Sequence, residues 1–254
     1  MELNRNAFKH ALAQGRLQIG LWSSLASNQA AEIVSDSGFD WILLDTEHSP
    51  NEIPDLLSQL QAVQRGTATP IVRAAWNDAV LFKRILDIGA QSLLVPFVQN
   101  PEEARRAVAA TRYPPSGIRG TAGSSRASRY GRVKDYLKKA NEEICLLVQV
   151  ETRQALDQIE AIAKVDGIDG VFIGPSDLAA SLGHIGDMQH PTVQKAIEEA
   201  VKRLKAVGKP AGILTPNEDE ARRYIAWGYT FVAVGSDVGV LTRGADGLAK
   251  TFKS

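Results

Sequence analysis

Eight short, apolar, β-branched runs recur along the chain: Gln18–Trp22, Trp41–Asp45, Pro70–Ala74, Ser92–Val98, Ile144–Val150, Gly170–Ile173, Pro210–Leu214 and Phe231–Gly235. Most place apolar residues at consecutive positions, as strands buried on both faces do. Helical segments separate them. Asn28–Ser37, Asn51–Val63, Asp78–Ile88, Asn100–Thr111, Thr152–Ala163, Pro191–Val207, Asn217–Trp227 and Val238–Phe252 carry helical spacing or start signals, such as Asn100 before Pro101. Eight such alternations predict a (β/α)8 TIM barrel over residues 1–254 as one domain. A doubly wound open sheet would call for a Gly-rich turn after the first strand, and Leu25–Ala30 has none.

Composition narrows the function. With 29 Lys+Arg against 29 Asp+Glu, the chain lacks the positive surplus of a general nucleic-acid or anionic-membrane binder. Its longest uncharged stretch, Leu17–Ala31, is too short and too polar to span a bilayer. The first residues carry no apolar stretch like that of a signal peptide, and Cys145 is the single cysteine. A cytoplasmic protein is expected, with Cys145 in the core.

In a (β/α)8 barrel the chemistry sits where the strands end. The predicted exits carry Trp22, then Asp45-Thr46-Glu47-His48, Arg73, Gln149-Val150-Glu151, Gly174-Pro175-Ser176-Asp177 and Gly235-Ser236-Asp237. Glu151 and Asp177, at the ends of neighbouring strands, suit a hard divalent cation. The plainer alternative has each cap the helix that follows, and Asp177 resembles an N-cap residue. His48 is a candidate general base or an ordinary loop residue. Arg73 inside an apolar strand needs an anionic partner, from the protein or from a substrate. Asp87 reads as a helix-end surface residue or a site residue. The segment Arg112–Lys134 reads as a long βα loop. It lies in a stretch between Glu103 and Asp135 with eight basic residues and no acid. Its arginines, Arg126 among them, are candidates to meet substrate or to make a surface or subunit contact. No lysine stands at a predicted strand exit, which disfavours a Schiff-base mechanism.

Several of these motifs resemble the HpcH/HpaI family of metal-dependent pyruvate aldolases. They are Phe39-Asp40-Trp41 with Leu44-Asp45-Thr46-Glu47-His48, Thr111–Pro115 with Gly117–Gly120, Val148–Glu151 and Gly174–Leu178. The resemblance implies reversible retro-aldol cleavage of a 4-hydroxy-2-oxo acid to pyruvate and an aldehyde. It implies Mg2+ or Mn2+ (other divalent ions such as Co2+ also fitting) on Glu151 and Asp177. Gln149 and Ser176 would hold the donor; from position alone, Trp22 at a strand exit (a packing residue or a wall of the site) and Arg126 in the basic stretch are further substrate-binding candidates. Arg73 would stabilise the enolate oxygen. His48 would be the acid/base group, assisted by Asp87 from a neighbouring subunit. A homohexamer is implied, with the last helix exchanged between subunits. Asp177–His184 and Phe231–Asp237 most resemble members that cleave 2-dehydro-3-deoxyglucarate or 5-dehydro-4-deoxyglucarate to pyruvate and tartronate semialdehyde. Members acting on 4-hydroxy-2-oxoheptane-1,7-dioate or 2-keto-3-deoxyrhamnonate are the alternatives. A catalytically silent dicarboxylate-binding barrel is the alternative of another class, and a thioester lyase of the citryl or malyl branch a third.

Overall fold

The computed structural model describes residues 1–253. Eight parallel strands pair in sequence order, and the first closes on the last: β1 (Gln18–Ser23), β2 (Trp41–Asp45), β3 (Thr69–Arg73), β4 (Ser92–Val95), β5 (Cys145–Val150), β6 (Gly170–Ile173), β7 (Ala211–Leu214) and β8 (Phe231–Ser236). Twelve helices surround or close this barrel among the described residues: α1 (Ala7–Ala13), α2 (Asn28–Ser35), α3 (Ile53–Ala62), α4 (Ala79–Asp87), α5 (Pro101–Thr111), α6 (Tyr136–Glu143), α7 (Arg153–Asp157), α8 (Ile159–Ala163), α9 (Pro175–Ser181), α10 (Pro191–Ala206), α11 (Glu218–Trp227) and α12 (Asp237–Lys253).

The consecutive apolar residues of each strand divide between two cores. In β2, Ile42 and Leu44 pack outward against helices, while Trp41 and Leu43 point into the barrel. In β5, Leu146, Val148 and Val150 face the helices and Cys145 and Leu147 face inward. The inner core is narrow, so its large side chains need space from their neighbours. A Cβ on Gly20 would stand 2.2 Å from the Trp41 ring, and one on Gly212 would stand 2.1 Å from the Phe231 ring. These two positions have no room for a side chain.

The floor of the barrel is α1, which the apolar pattern alone did not reveal. Asn6 caps it by accepting from the Lys9 N–H, and the Asn6 side-chain amide donates to Ser92 Oγ at 2.9 Å. Phe8 and Leu12 are thereby pressed into the inner core, with the Phe8 ring 6.0 Å from Trp41 and 5.9 Å from Phe231. Each such buried side chain contributes about 1.5–3 kcal/mol.

Four expectations are corrected. The segment Arg112–Lys134 is not a βα loop. It follows α5 and precedes β5, and helices run antiparallel to strands, so it lies at the N-terminal end of the barrel. The helix expected over Thr152–Ala163 is two short helices, broken at Gln158. The strand expected over Ser92–Val98 ends at Val95, because Phe97 takes a φ of +56°. Asp177 is not an N-cap residue: Gly174 caps α9, and Asp177 lies in its first turn. Asp237, at the start of α12, accepts from Ser23 Oγ and from the Ser24, Leu25 and Val238 N–H groups. That ties the end of β8 to the end of β1. Among the described residues no helix is long and apolar enough to cross a membrane.

Candidate active site

The inward-facing register turns polar as the strands rise. Positions 145, 147, 149 and 151 read Cys, Leu, Gln, Glu, and positions 41, 43 and 45 read Trp, Leu, Asp. The apolar members form the inner core, and the polar members floor a cavity of about 380 Å³ at the C-terminal end of the barrel. Its walls include Trp22, His48, Arg73, Gln149, Glu151, Ser176 and Asp177. Thus seven of the nine residues expected at a site meet in one place. Among the described residues no lysine lines the cavity.

Arg73 finds its anionic partner within the protein. Asp45 and Arg73 share one rung of the β2–β3 ladder, so their side chains leave the sheet on the same face. Arg73 Nε donates to Asp45 Oδ1 at 2.8 Å and Nη2 to Oδ2 at 2.6 Å, a two-pronged ion pair. Nη1 stands 2.8 Å from Glu47 Oε2. The guanidinium also lies over the Trp22 ring, 4.9 Å from its centroid, and Trp22 Nε1 donates to Asp45 Oδ2 at 3.2 Å. Burial by itself would raise the Asp45 carboxyl. The Arg73 pair, the Glu47 N–H and the Trp22 N–H outweigh that and hold it below its ordinary value. Glu47 is raised, because burial and the neighbouring Asp45 and Asp177 carboxylates outweigh Arg73 and His48.

Glu151 is placed differently. It is 3% exposed, yet its contacts are neutral donors. The Phe97 N–H reaches Oε1 at 2.7 Å and Gln149 Nε2 reaches Oε2 at 2.6 Å. Burial, reinforced by the charges of Asp177 and Glu47, pushes its carboxyl up to about 7. A Cβ on Gly174 would stand 2.3 Å from Glu151 Oε2, so β6 passes close beside this carboxylate. Gln149 Oε1 is buried without a hydrogen-bond partner. Among the described residues no cluster of three or more His, Cys, Asp or Glu is poised to hold a metal, and the carboxylates Glu151 and Asp177 both line the cavity. A hard cation that keeps water or substrate oxygens in its remaining positions fits such a donor set.

His48 stands exposed at the cavity mouth, and among the described residues no hydrogen bond fixes its ring. Two expected residues lie elsewhere. Asp87 ends α4 at the opposite end of the barrel, where the fully buried Arg119 donates to its Oδ1 at 2.7 Å. Arg126 is beside it, donating to the Ile88 carbonyl at 2.6 Å. The fold of one chain therefore does not bring Asp87 or Arg126 to the cavity. The sequence reading did not assign Asp45 and Glu47 as the partners of Arg73. Their signal was available in the two-residue parity that puts 45, 47 and 73 on the inner face. It also did not pick out Phe172, Met188, Leu214, Thr215 or Tyr224 in the wall. Phe172 and Leu214 lie on β6 and β7 themselves, while the segments after these strands bring Met188, Thr215 and Tyr224 there, and no local pattern marks that.

The HpcH/HpaI aldolase/citrate lyase model matches residues 18–243. The chain belongs to the HpcH/HpaI family. It is 58% identical over 252 residues to a pyruvate aldolase of Rhizobium etli, covering 99% of both chains. It is 56% identical over 248 residues to a 4-hydroxy-2-oxo-heptane-1,7-dioate aldolase of Klebsiella pneumoniae, covering 97% of this chain and 94% of that one. A solved HpcH/HpaI family structure from Burkholderia cenocepacia superposes with a TM-score of 0.95 at 39% identity, over 98% of this chain and all of that one. This HpcH/HpaI protein is a carbon–carbon lyase, a pyruvate aldolase whose reaction is retro-aldol cleavage to pyruvate. The relatives' names carry the heptanedioate given above as an alternative, and none of these three carries the glucarate derivative placed first.

Proposed function

We propose that this aldolase cleaves a 4-hydroxy-2-oxo dicarboxylic acid with the help of a divalent cation, Mg2+ or Mn2+, held by Glu151 and Asp177. The observation that carries this reading is the contrast between the two buried carboxylates of the site. Asp45 has its own arginine in contact, whereas Glu151 is contacted by N–H donors, feels Arg73 only through space and is repelled by Asp177 and Glu47. A buried carboxylate without a contacting cation is costly unless one is supplied from outside. The relatives' names favour 4-hydroxy-2-oxoheptane-1,7-dioate as the substrate to try first. The likeness of Asp177–His184 to glucarate-cleaving members keeps 2-dehydro-3-deoxyglucarate as the second.

A cation bound there supplies Lewis-acid stabilisation of the charge that develops on the keto oxygen. The chain's own residues do the rest. His48 takes the proton of the 4-hydroxyl at the cavity mouth. The O–H pair becomes the aldehyde C=O as the bond between carbons three and four breaks. That bond's electrons form the enolate double bond, and the carbonyl pair moves onto oxygen. Arg73 has five N–H groups; two donate to Asp45 and Nη1 lies near Glu47 as an ion-pair contact. Among the described residues its remaining N–H groups make no hydrogen bond and can meet the enolate oxygen, with the guanidinium already oriented by Asp45. The enolate then takes a proton at carbon three to give the pyruvate methyl group. Gln149 offers its unpartnered Oε1 to a donor on the substrate side, Ser176 lines the donor pocket, and Trp22 forms the wall behind Arg73. A Schiff-base route has no amine in the cavity to use.

Within this reading Asp87 and Arg126 serve the cavity of a second copy, in a homohexamer in the cytoplasm. Support comes from α12, which exposes Val240, Leu241, Leu248 and Phe252 as a seam suited to exchange between subunits. The test of the reaction is hydrogen–deuterium exchange at the pyruvate methyl group, followed by NMR in D2O. Exchange that EDTA stops and Mg2+ restores is expected. No exchange with any divalent metal would sink the proposal. With exchange established, side-by-side turnover of the heptanedioate and glucarate compounds decides the acceptor.

A further inference from the structure

The chain leaves β4 through Pro96 and turns at Phe97, whose φ of +56° lies in the left-handed region. A bulky side chain is an outlier there, because its Cβ crowds the following carbonyl. Such strain persists only where the surroundings impose it. Two contacts accompany it. The turn aims the Phe97 N–H at Glu151 Oε1, 2.7 Å away. It also lays the Phe97 ring on Trp76, with centroids 5.8 Å apart and planes at 27°. Trp76 belongs to the segment after β3, so the stack spans two neighbouring loops. Both loops are anchored just beyond it. The Gln99 N–H donates to Glu103 Oε2 at 2.8 Å, and the Asn77 amide reaches the Glu103 carbonyl at 3.3 Å.

The stack does little for the core, since Trp76 is 54% and Phe97 37% exposed. Its effect falls on Glu151. The other donor to that carboxylate, Gln149, sits on the same strand and moves with it. The Phe97 N–H comes from a different strand end and fixes the carboxylate relative to the rest of the barrel. We propose that the Trp76–Phe97 stack is a positioning device for Glu151, holding Phe97 in the left-handed conformation that aims its N–H at the carboxylate. Among the described residues that line the cavity, neither ring is found. The inference rests on the reading of Glu151 as a cation ligand.

The test is Mn2+ binding to the full chain without substrate, read from the loss of the free-ion paramagnetic resonance signal. Circular dichroism checks that each variant is folded. Losing a partner that orients a ligand typically weakens metal binding 10–100-fold. Trp76→Ala and Phe97→Ala should each weaken Mn2+ binding by about tenfold. Phe97→Gly also lacks the ring, but glycine takes a positive φ without steric cost and keeps the N–H. It should recover most of the affinity. Wild-type affinity in both alanine variants, alongside lost binding in Glu151→Gln, would overturn the positioning role and leave the cation reading intact. Phe97→Gly as weak as Phe97→Ala would overturn the conformational argument. Binding by Glu151→Gln equal to wild type would instead remove the cation reading, and this inference with it.

Discussion

Asp45→Asn tests the electrostatic frame beneath the cavity. Asp45 accepts two hydrogen bonds from Arg73, and the side chains are 2% and 10% exposed. Asparagine is nearly isosteric, so no void opens. It removes the negative charge and turns an amide donor toward a guanidinium donor. Removing one partner of a buried ion pair typically costs about 3–5 kcal/mol. Glu47 stays 2.8 Å from Nη1 and retains part of the neutralisation. The lower end, about 3 kcal/mol, is therefore expected. For a chain of this size each kcal/mol moves the melting temperature by about 2–4 °C, so the variant should melt about 6–12 °C lower near neutral pH. The pH dependence supplies an independent check. The folded Asp45 carboxyl lies below its ordinary value of 3.8. A depressed carboxylate stabilises fully above the unfolded value and loses that contribution as pH falls through the folded value. The gap between wild type and variant should therefore hold from neutral pH down to about pH 5 and close below 3.8. Thermal melts followed by circular dichroism read both. A melting point within about 2 °C of wild type near neutral pH, or a gap that persists at the acid end, would refute the claim that this pair anchors Arg73.

Three further outcomes are expected. His48→Ala should lower the cleavage rate by about 10²–10⁴-fold while Mn2+ binding persists, and unchanged turnover would remove His48 from the mechanism. Glu151→Gln combined with Asp177→Asn should abolish activity together with any response to added Mg2+; full wild-type activity in EDTA would contradict the cation role. Gly20→Ala forces a methyl group to 2.2 Å from the Trp41 ring, which should cost about 1–3 kcal/mol or more in a urea melt. A melt indistinguishable from wild type would mean the inner core is looser than its packing indicates.

The strands were legible because a strand buried on both faces leaves a run of apolar residues that no other short segment mimics at this spacing. Cys145 reads as core for the same reason, and it lies fully buried with its thiol pushed well up by burial. Arg73, Gln149 and Glu151 stood out because a polar residue at the end of such a run has left the apolar layer. Asp45 was harder to assign, since a carboxylate at a strand end serves equally as a cap, a ligand or an ion-pair partner. Only the shared rung with Arg73 chose among these. The Phe97 turn was illegible, because no local rule places phenylalanine at positive φ. It is stabilised by Trp76, which is distant in sequence. The Arg112–Lys134 segment was placed at the wrong end of the barrel because its length and charge suggested a βα loop, although its position after a helix already fixed its end.

The sequence by itself determined the layered alternation, the closed parallel barrel and the set of chemical groups at the strand exits. These follow from short-range periodicity, which depends on neighbours along the chain. The tertiary structure decided which charges neutralise one another. Arg73 is matched by Asp45 and Glu47, whereas Glu151 meets only N–H donors. It also decided that Asp87 and Arg126 stand at the far end of the barrel from His48. Those outcomes depend on strand register and on distances of a few ångströms between residues far apart in sequence. Coulomb interactions are steep functions of such distances and of burial, and neither quantity is written in the order of the residues.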